Sequence, residues 1–164
     1  LGEKGLLVSD LLTLYHIASY QFGFEAADLL FKNISGDIKI KKSRKTKKIR
    51  YIYINNELFL VLRARDGLFS LTHLSATKLL GLKPPSLRVI VSNEAVPFVK
   101  EGKSVFARFV IDVDKSLRRG DEVIVVSSRD ELIAIGKMMV SGEEAMELET
   151  GEIVKIKKSI RGVY

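Results

Sequence analysis

Residues 87–114 read LRVIVSNEAVPFVKEGKSVFARFVIDVD, and this stretch decides how the second half of the chain folds. LRVIVS is rich in β-branched residues and reads as a strand. Asn93 to Glu101 reads as a short helix, with Pro97 tolerated if it falls in the first turn, where its missing N–H has no helical partner. Gly102 ends that helix, and SVFARFVIDVD follows as one long strand. In it Val105, Ala107 and Phe109 alternate with Phe106, Arg108 and Val110, so a single charge falls on one face and both faces are expected to be mostly covered. Three more strands are expected at DEVIVVSS (121–128), LIAIGKMMVS (132–141) and EIVKIKK (152–158), with turns at RRGD, SSRD and ETG. Turns at intervals of roughly 8 to 15 residues predict a small barrel, mixed or mainly antiparallel.

Upstream, Lys83-Pro84-Pro85-Ser86 is the best boundary, because adjacent prolines stiffen the chain and forbid regular structure across them. We therefore expect one domain over 1–83 and a second over 86–161. In the first, Ser9 or Asp10 is placed to cap a helix through LLTLYHIASYQFGFEAADLLFKN, whose apolar residues recur mostly three or four apart. Gly23 weakens its middle, so either one helix or two fit. Ile38 and Ile40 alternate with lysines, and RYIYINNELFLVLRARDG reads as two strands joined at Asn55-Asn56, a pair that tolerates left-handed backbone. Asp66-Gly67 makes the next turn, and a helix starting at Ser70 or Thr72 runs to Leu80 and stops at Gly81. The expected class is α+β, a small N-terminal α/β domain followed by the barrel.

Charge is distributed unevenly. Residues 39–50, KIKKSRKTKKIR, hold eight Lys or Arg and no acid. Before Ser86 there are 14 basic and 7 acidic residues, and from Ser86 onward 13 of each, so the whole net charge of +7 resides in the first part. Like charges this dense repel one another, and a polyanion relieves that repulsion while releasing counterions. Lys39, Lys41, Lys42, Arg44, Lys45, Lys47, Lys48 and Arg50 are the candidate phosphate contacts. If the hairpin turns at Asn55-Asn56, Arg50 and Tyr51 fall near Leu60 and Val61, and Arg63 and Arg65 on the next strand join the basic surface. Such contacts grip without reading sequence, so composition alone admits DNA, RNA or an acidic protein.

Other classes of function are disfavoured. The absence of cysteine excludes disulfides and Cys-based zinc sites, and two histidines exclude a His-rich metal centre. No apolar stretch approaches the roughly 20 residues of a membrane span. LGEKGLLVSDLL lacks a basic leader and a cleavage site, so no signal peptide and a cytoplasmic location are expected. Gly102-Lys103-Ser104 imitates a phosphate-binding loop, but Pro97 stands where that motif needs glycine, and the triplet ends a helix instead of opening one. Asp112, Asp114, Asp121 and Glu122 are expected to solvate a barrel edge or pair with Arg118 and Arg119. Asp66 is expected to cap its turn. His16 and His73 have no nucleophile or acid partner indicated. The expectation is a protein with no catalytic residues, metal or cofactor.

RVIVSNEAVPFVKEGKSVFARFV, the Asp114–Arg119 turn with RRGDEVIVV, ELIAIGKMMVSGEEAM and GEIVKI arrive in an order and spacing that resemble a PUA domain, the small RNA-binding barrel of pseudouridine synthases and archaeosine transglycosylases. YQFGFEAADLLF, SRKTKKIRYIY and LRARDGLFSLTHLSATKLL resemble the domain that precedes it in archaeal tRNA-guanine transglycosylases. These 164 residues hold no catalytic barrel, no aspartate nucleophile and no zinc-binding cysteines of that family. The resemblance implies RNA against Glu94 to Lys103, with Gly102 and Lys103 central, and against Ser104, Arg108, Lys155, Lys157 and Lys158. It implies tRNA or another structured RNA as partner. Alternatives are an accessory subunit for a separate transglycosylase or other RNA-modifying enzyme, and a ribosome-associated module resembling a translation factor.

Overall fold

The computed structural model describes residues 3–5 and 7–160, so the expected domain ends at 1 and 161, and part of LGEKGL, lie outside the described residues. The chain forms two compact units, Leu1–Gly81 and Leu82–Tyr164. Among the described residues no helix is long and apolar enough to cross a membrane.

The first unit is an antiparallel meander with helices. Its strands, β1 (Glu3–Gly5), β2 (Ile38–Lys42), β3 (Ile49–Ile54), β4 (Glu57–Leu62) and β5 (Phe69–Leu71), lie in chain order across one sheet. One ladder position runs Ile40, Ile52, Leu60, Leu71, directly opposed from strand to strand, and all four side chains are buried. Since side chains alternate along a strand, the adjacent position, Lys41, Tyr51, Val61 and Ser70, faces the other way. Asn55 and Asn56 both take left-handed backbone (φ 49° and 64°), the geometry of a tight two-residue hairpin, and Tyr51 opposes Val61 as the sequence predicts.

Gly23, at φ 95°, divides the helical stretch into α1 (Val8–Phe22) and α2 (Phe24–Phe31). The expected cap at Ser9 or Asp10 does not form: α1 begins at Val8 with Leu7 at the cap position, and Asp10 sits in the first turn. There its charge still complements the helix N-terminus. Ser70 does not start a helix either, because Phe69 and Leu71 pair with Leu62 and Leu60 as β5. Helix α3 (His73–Leu79) starts after Thr72, whose hydroxyl and Ser75 form a reciprocal capping box. Phe31 packs edge-on against Phe59, ring centroids 6.2 Å apart, and against Phe69 at 6.1 Å. On the outside of α1, Val8, Leu12 and Tyr20 stand well exposed at multiples of four residues, with Phe24 exposed beyond the bend.

The second unit comprises β6 (Arg88–Val91), α4 (Val96–Lys100), β7 (Val105–Phe106), β8 (Val110–Val113), β9 (Glu122–Val126), β10 (Leu132–Met138), α5 (Gly142–Glu147) and β11 (Glu152–Ser159). The sheet order is β7-β11-β10-β9-β6-β8, antiparallel except for the β6–β9 pair. Its two end strands are consecutive in the chain, joined by one 3-10 turn at Ala107–Phe109, so the sheet closes into a barrel. Backbone bonds from Ala107 N–H to Gly151 O (2.9 Å) and from Ser92 N–H to Phe109 O (2.8 Å) fix the crossing. This corrects the expected single strand over 104–114: the chain must leave β11 and join β6, and it bends to do so. Both faces are not covered, since Val105 and Ala107 are buried while Phe106 and Arg108 are exposed.

Pro97 lies in the first turn of α4, and Gly102, at φ 90°, follows its end. Helix α5 was not expected from the sequence. Ser141 caps it by accepting the Glu144 N–H at 3.1 Å. Of the two roles expected for the acids here, solvating an edge or pairing with Arg118 and Arg119, pairing is not seen for Asp114 or Asp121 among the described residues, and both hold loops instead. Asp114 accepts from Leu87 N–H (2.8 Å) and from the Ser116 backbone and hydroxyl (2.9 and 2.7 Å), and Asp121 accepts the Arg118 backbone N–H at 2.8 Å. Arg88, fully buried, makes two parallel bonds to Asp130, Nε to Oδ1 at 2.7 Å and Nη2 to Oδ2 at 3.0 Å. Its Nη1 donates to Ser86 O at 2.9 Å.

Candidate nucleic-acid interface

The basic run folds into the end of β2, a turn and the start of β3. Ser43 N–H bonds Lys48 O at 2.8 Å and Lys47 N–H bonds Ser43 O at 2.9 Å, with Lys47 left-handed at φ 62°. This closed turn exposes Arg44, Lys45, Lys47 and Lys48. Among the described residues no carboxylate lies within ion-pair distance of these four. On the strands, Lys39 opposes Tyr53 and Lys41 opposes Tyr51, interleaving amines with aromatic rings on one face.

The remaining candidates in this unit are more constrained. Arg63, with its side chain only 14% exposed, binds Asp66 through Nε (3.1 Å) and Nη2 (2.9 Å), a fork geometry that commits it to the turn. Arg65 is exposed, with Nε 3.9 Å from the same carboxylate. Lys39 lies 3.6 Å from Asp37, and Lys42 lies 3.8 Å from Asp10. Desolvation pushes the Asp66 carboxyl upward, but the Leu68 N–H, the Arg63 fork and the nearby Arg65 charge outweigh it, and the group is held below its ordinary value. The turn-capping role expected for Asp66 is present, through its 3.0 Å bond from Leu68 N–H. Lys47, Lys48, Arg50, Arg63 and Arg65 all border one cleft of about 680 Å³.

In the second unit a cleft of about 660 Å³ is lined by Ser92, Asn93, Glu94, Phe98, Arg108 and Phe109. The Arg108 guanidinium lies 4.5 Å from the centre of the Phe109 ring, and the Lys103 amine lies 5.3 Å from the centre of Phe98 and 3.4 Å from Glu101. Gly102 is open: a Cβ there would meet only Ser159 Oγ, at 3.8 Å. Ser104 is half-buried between Lys103 and β7. The lysines of β11 divide. Lys155, Lys157 and Lys158 are all exposed, but Lys157 is ion-paired with Glu122, which is buried inside β9. Ser92, Asn93 and Phe109 lie outside the residues the sequence pointed to, whereas Phe98 falls within the expected Glu94–Lys103 stretch without having been named individually. Val99 takes the inward side of the short α4, which leaves the neighbouring Phe98 half-exposed.

Residues 87–160 match the PUA domain family, and residues 13–85 match the patch-forming domain C2 of tRNA-guanine transglycosylase. It is a PUA-domain protein. Sequence relatives of this PUA-domain protein agree over nearly its whole length. A tRNA-guanine(15) transglycosylase of Methanothermobacter thermautotrophicus is 45% identical over 159 residues, covering 96% of this chain and 24% of that protein. One of Thermococcus kodakarensis is 40% identical over 145 residues, covering 88% of this chain and 24% of that protein. The chain thus spans about a quarter of the length of these curated relatives. Among solved structures, a hypothetical protein from Pyrococcus horikoshii aligns with a TM-score of 0.74 at 26% identity, over 98% of this chain and 95% of that one.

Proposed function

We propose that this PUA-domain protein holds tRNA, or another structured RNA, in the cytoplasm and catalyses no reaction itself. The observation that carries this reading is the closed turn exposing Arg44, Lys45, Lys47 and Lys48 beside a face of lysines and tyrosines. In this reading residues 1–83 supply a phosphate grip indifferent to sequence. Residues 86–161 receive an RNA end or unpaired tail along Phe98, Gly102, Lys103, Ser104 and Arg108, with Lys155 and Lys158 nearby in the chain's last strand. Aromatic and guanidinium planes stack on unpaired bases, and an open glycine lets a phosphate approach the backbone. No cofactor is required. The test is Lys45, Lys47 and Lys48 changed together to alanine, with tRNA binding measured from low to high salt. Losing three phosphate contacts lowers the salt slope of log K by about 2 to 3. Equal slopes for variant and parent reject direct phosphate contact by this turn.

A second reading, an accessory subunit that delivers RNA to a separate transglycosylase, is favoured by one observation. The exposed row Val8, Leu12 and Tyr20 is an apolar face on a helix, and such faces mark protein contacts. The curated relatives carry this region joined to three times as much further chain. This reading predicts co-purification with a catalytic chain, abolished by Leu12→Glu with Tyr20→Glu. Recovery of the protein free of any such chain under native conditions refutes it.

A further inference from the structure

The cleft in the first unit contains more than a phosphate grip needs. Its rim is cationic, from Lys47, Lys48, Arg50 and Arg65, but Ile17, Ile49 and Leu62 also line it, and Ile49 and Leu62 are buried. A site for phosphate alone has no use for an apolar floor. At about 680 Å³ the cleft falls in the size range of small-ligand sites. It also holds Asp10, a carboxylate in a basic surroundings where a polyanion would be repelled.

Asp10 is short of partners. Among the described residues the cation within ion-pair distance is Lys42, 3.8 Å from Oδ1 and beyond hydrogen-bond reach, and Oδ2 is buried with no hydrogen-bond partner. A buried acceptor left unpaired is costly, and more so when charged, so such a group calls for a missing donor. Asp10 and Lys42 both line the cleft, and the Lys42 side chain is 38% exposed, so it is not packed in place over the carboxylate.

The chemistry of the missing donor follows from the three parts. An apolar floor accepts a flat ring, a cationic rim accepts a phosphate, and a carboxylate accepts two adjacent N–H groups. Guanine presents N1–H and the N2 amine side by side on its pairing edge. Adenine, cytosine and uracil each set a lone pair next to their donor on that edge, where it would face the carboxylate. We infer that the cleft takes one turned-out guanine nucleotide of the bound RNA, its pairing edge on Asp10 and its phosphate on the rim. Unstacked bases are read in this way, by hydrogen bonds to the pairing edge. The inference rests on the RNA-holding reading and adds to it a choice of base at one position.

The test uses the full chain, isotopically labelled, titrated with GMP, IMP, AMP, CMP, UMP and inorganic phosphate while amide shifts are followed by NMR. GMP moves the amides of Asp10, Ile49 and Leu62 and binds about tenfold or more tighter than AMP, CMP or UMP, the weight of one hydrogen bond to a charged group. IMP, which lacks only the N2 amine, binds about tenfold weaker than GMP. Phosphate moves rim amides alone. Asp10→Asn brings the nucleotides to within about twofold of one another. Equal binding of GMP and IMP by the parent overturns the inference without any variant, as does a GMP preference unchanged in Asp10→Asn, or no shift at the cleft with millimolar GMP. Each of these, with tRNA still bound at the parent salt slope, refutes the guanine site and leaves the phosphate grip standing. Loss of the salt-slope effect in the lysine variant refutes the grip instead.

Discussion

Replacing Asp130 strands the Arg88 guanidinium in the barrel wall, and the geometry sets the size of the effect. Arg88 is fully buried, and two of its donors are spent on Asp130 at 2.7 and 3.0 Å while a third keeps Ser86 O. Removing one partner of a buried ion pair costs about 3–5 kcal/mol, because the remaining charge stays out of water. Asp130 is 35% exposed, so solvent reaches the vacated place and the loss falls at the low end. Its backbone is left-handed, φ 60°, which asparagine tolerates and alanine does not. Asp130→Asn, which keeps one acceptor, should therefore cost about 2 kcal/mol, and Asp130→Ala about 4 kcal/mol once roughly 1 kcal/mol of backbone strain is added. For a unit of this size the asparagine change lowers Tm by about 8–16 °C. Urea unfolding followed through the NMR amides of Val123 to Val126 reports on this unit alone. A loss below about 0.5 kcal/mol for Asp130→Asn, with an unchanged m-value, refutes the assignment of Arg88 as a buried charge dependent on Asp130.

Asp66, held below its ordinary pKa, stabilises the first unit fully above the normal carboxylate range, and that contribution fades as pH falls through its lowered value. The stability gap between parent and Asp66→Asn should thus be widest near neutrality and close from about pH 5 downward, and a gap constant from pH 7 to 2 rejects the coupling. Gly142→Ala should destabilise the second unit by about 3 kcal/mol, because the added methyl meets the Asp114 carbonyl and Lys115 backbone, which cannot rotate away. A urea midpoint within error of the parent would show that this backbone yields. Lys103→Ala should leave binding to blunt RNA duplex unchanged and reduce the preference for a tailed one severalfold. Indifference of the parent to tails removes the proposed role of the second cleft.

How far the sequence could be read depended on the range of the forces involved. Asn55-Asn56, Pro97 and Gly102 behave as predicted because turn and cap geometry is decided within a few residues. Strands β1 and β5, three residues each, exist only because longer neighbours offer them a pairing edge, so a window scan passes over Phe69–Leu71. The break at Ala107–Phe109 answers a closure requirement that no local pattern records. The eight-charge run was plain from composition, and its exposure followed. The internal obligations of Arg63 and Lys157 did not, since Glu122 lies 35 residues from Lys157, and for Arg63 only the fork geometry shows that Asp66 engages it. Asp10 was legible as a helix-start acid, but its place in a basic cleft depends on β2 and β3 folding over the helix that bears it.

The 3-10 turn that closes the barrel also carries Arg108 and Phe109, so the second cleft is built on the seam of the sheet. Two backbone bonds latch that seam, Ala107 to Gly151 on one side and Ser92 to Phe109 on the other. A ligand held by these side chains therefore clamps both latches at once, and affinity and local opening become one equilibrium. RNA seated there slows amide hydrogen exchange at Ser92 and Ala107 together, by the same factor. A ligand on any other wall of the barrel leaves those two amides exchanging as before.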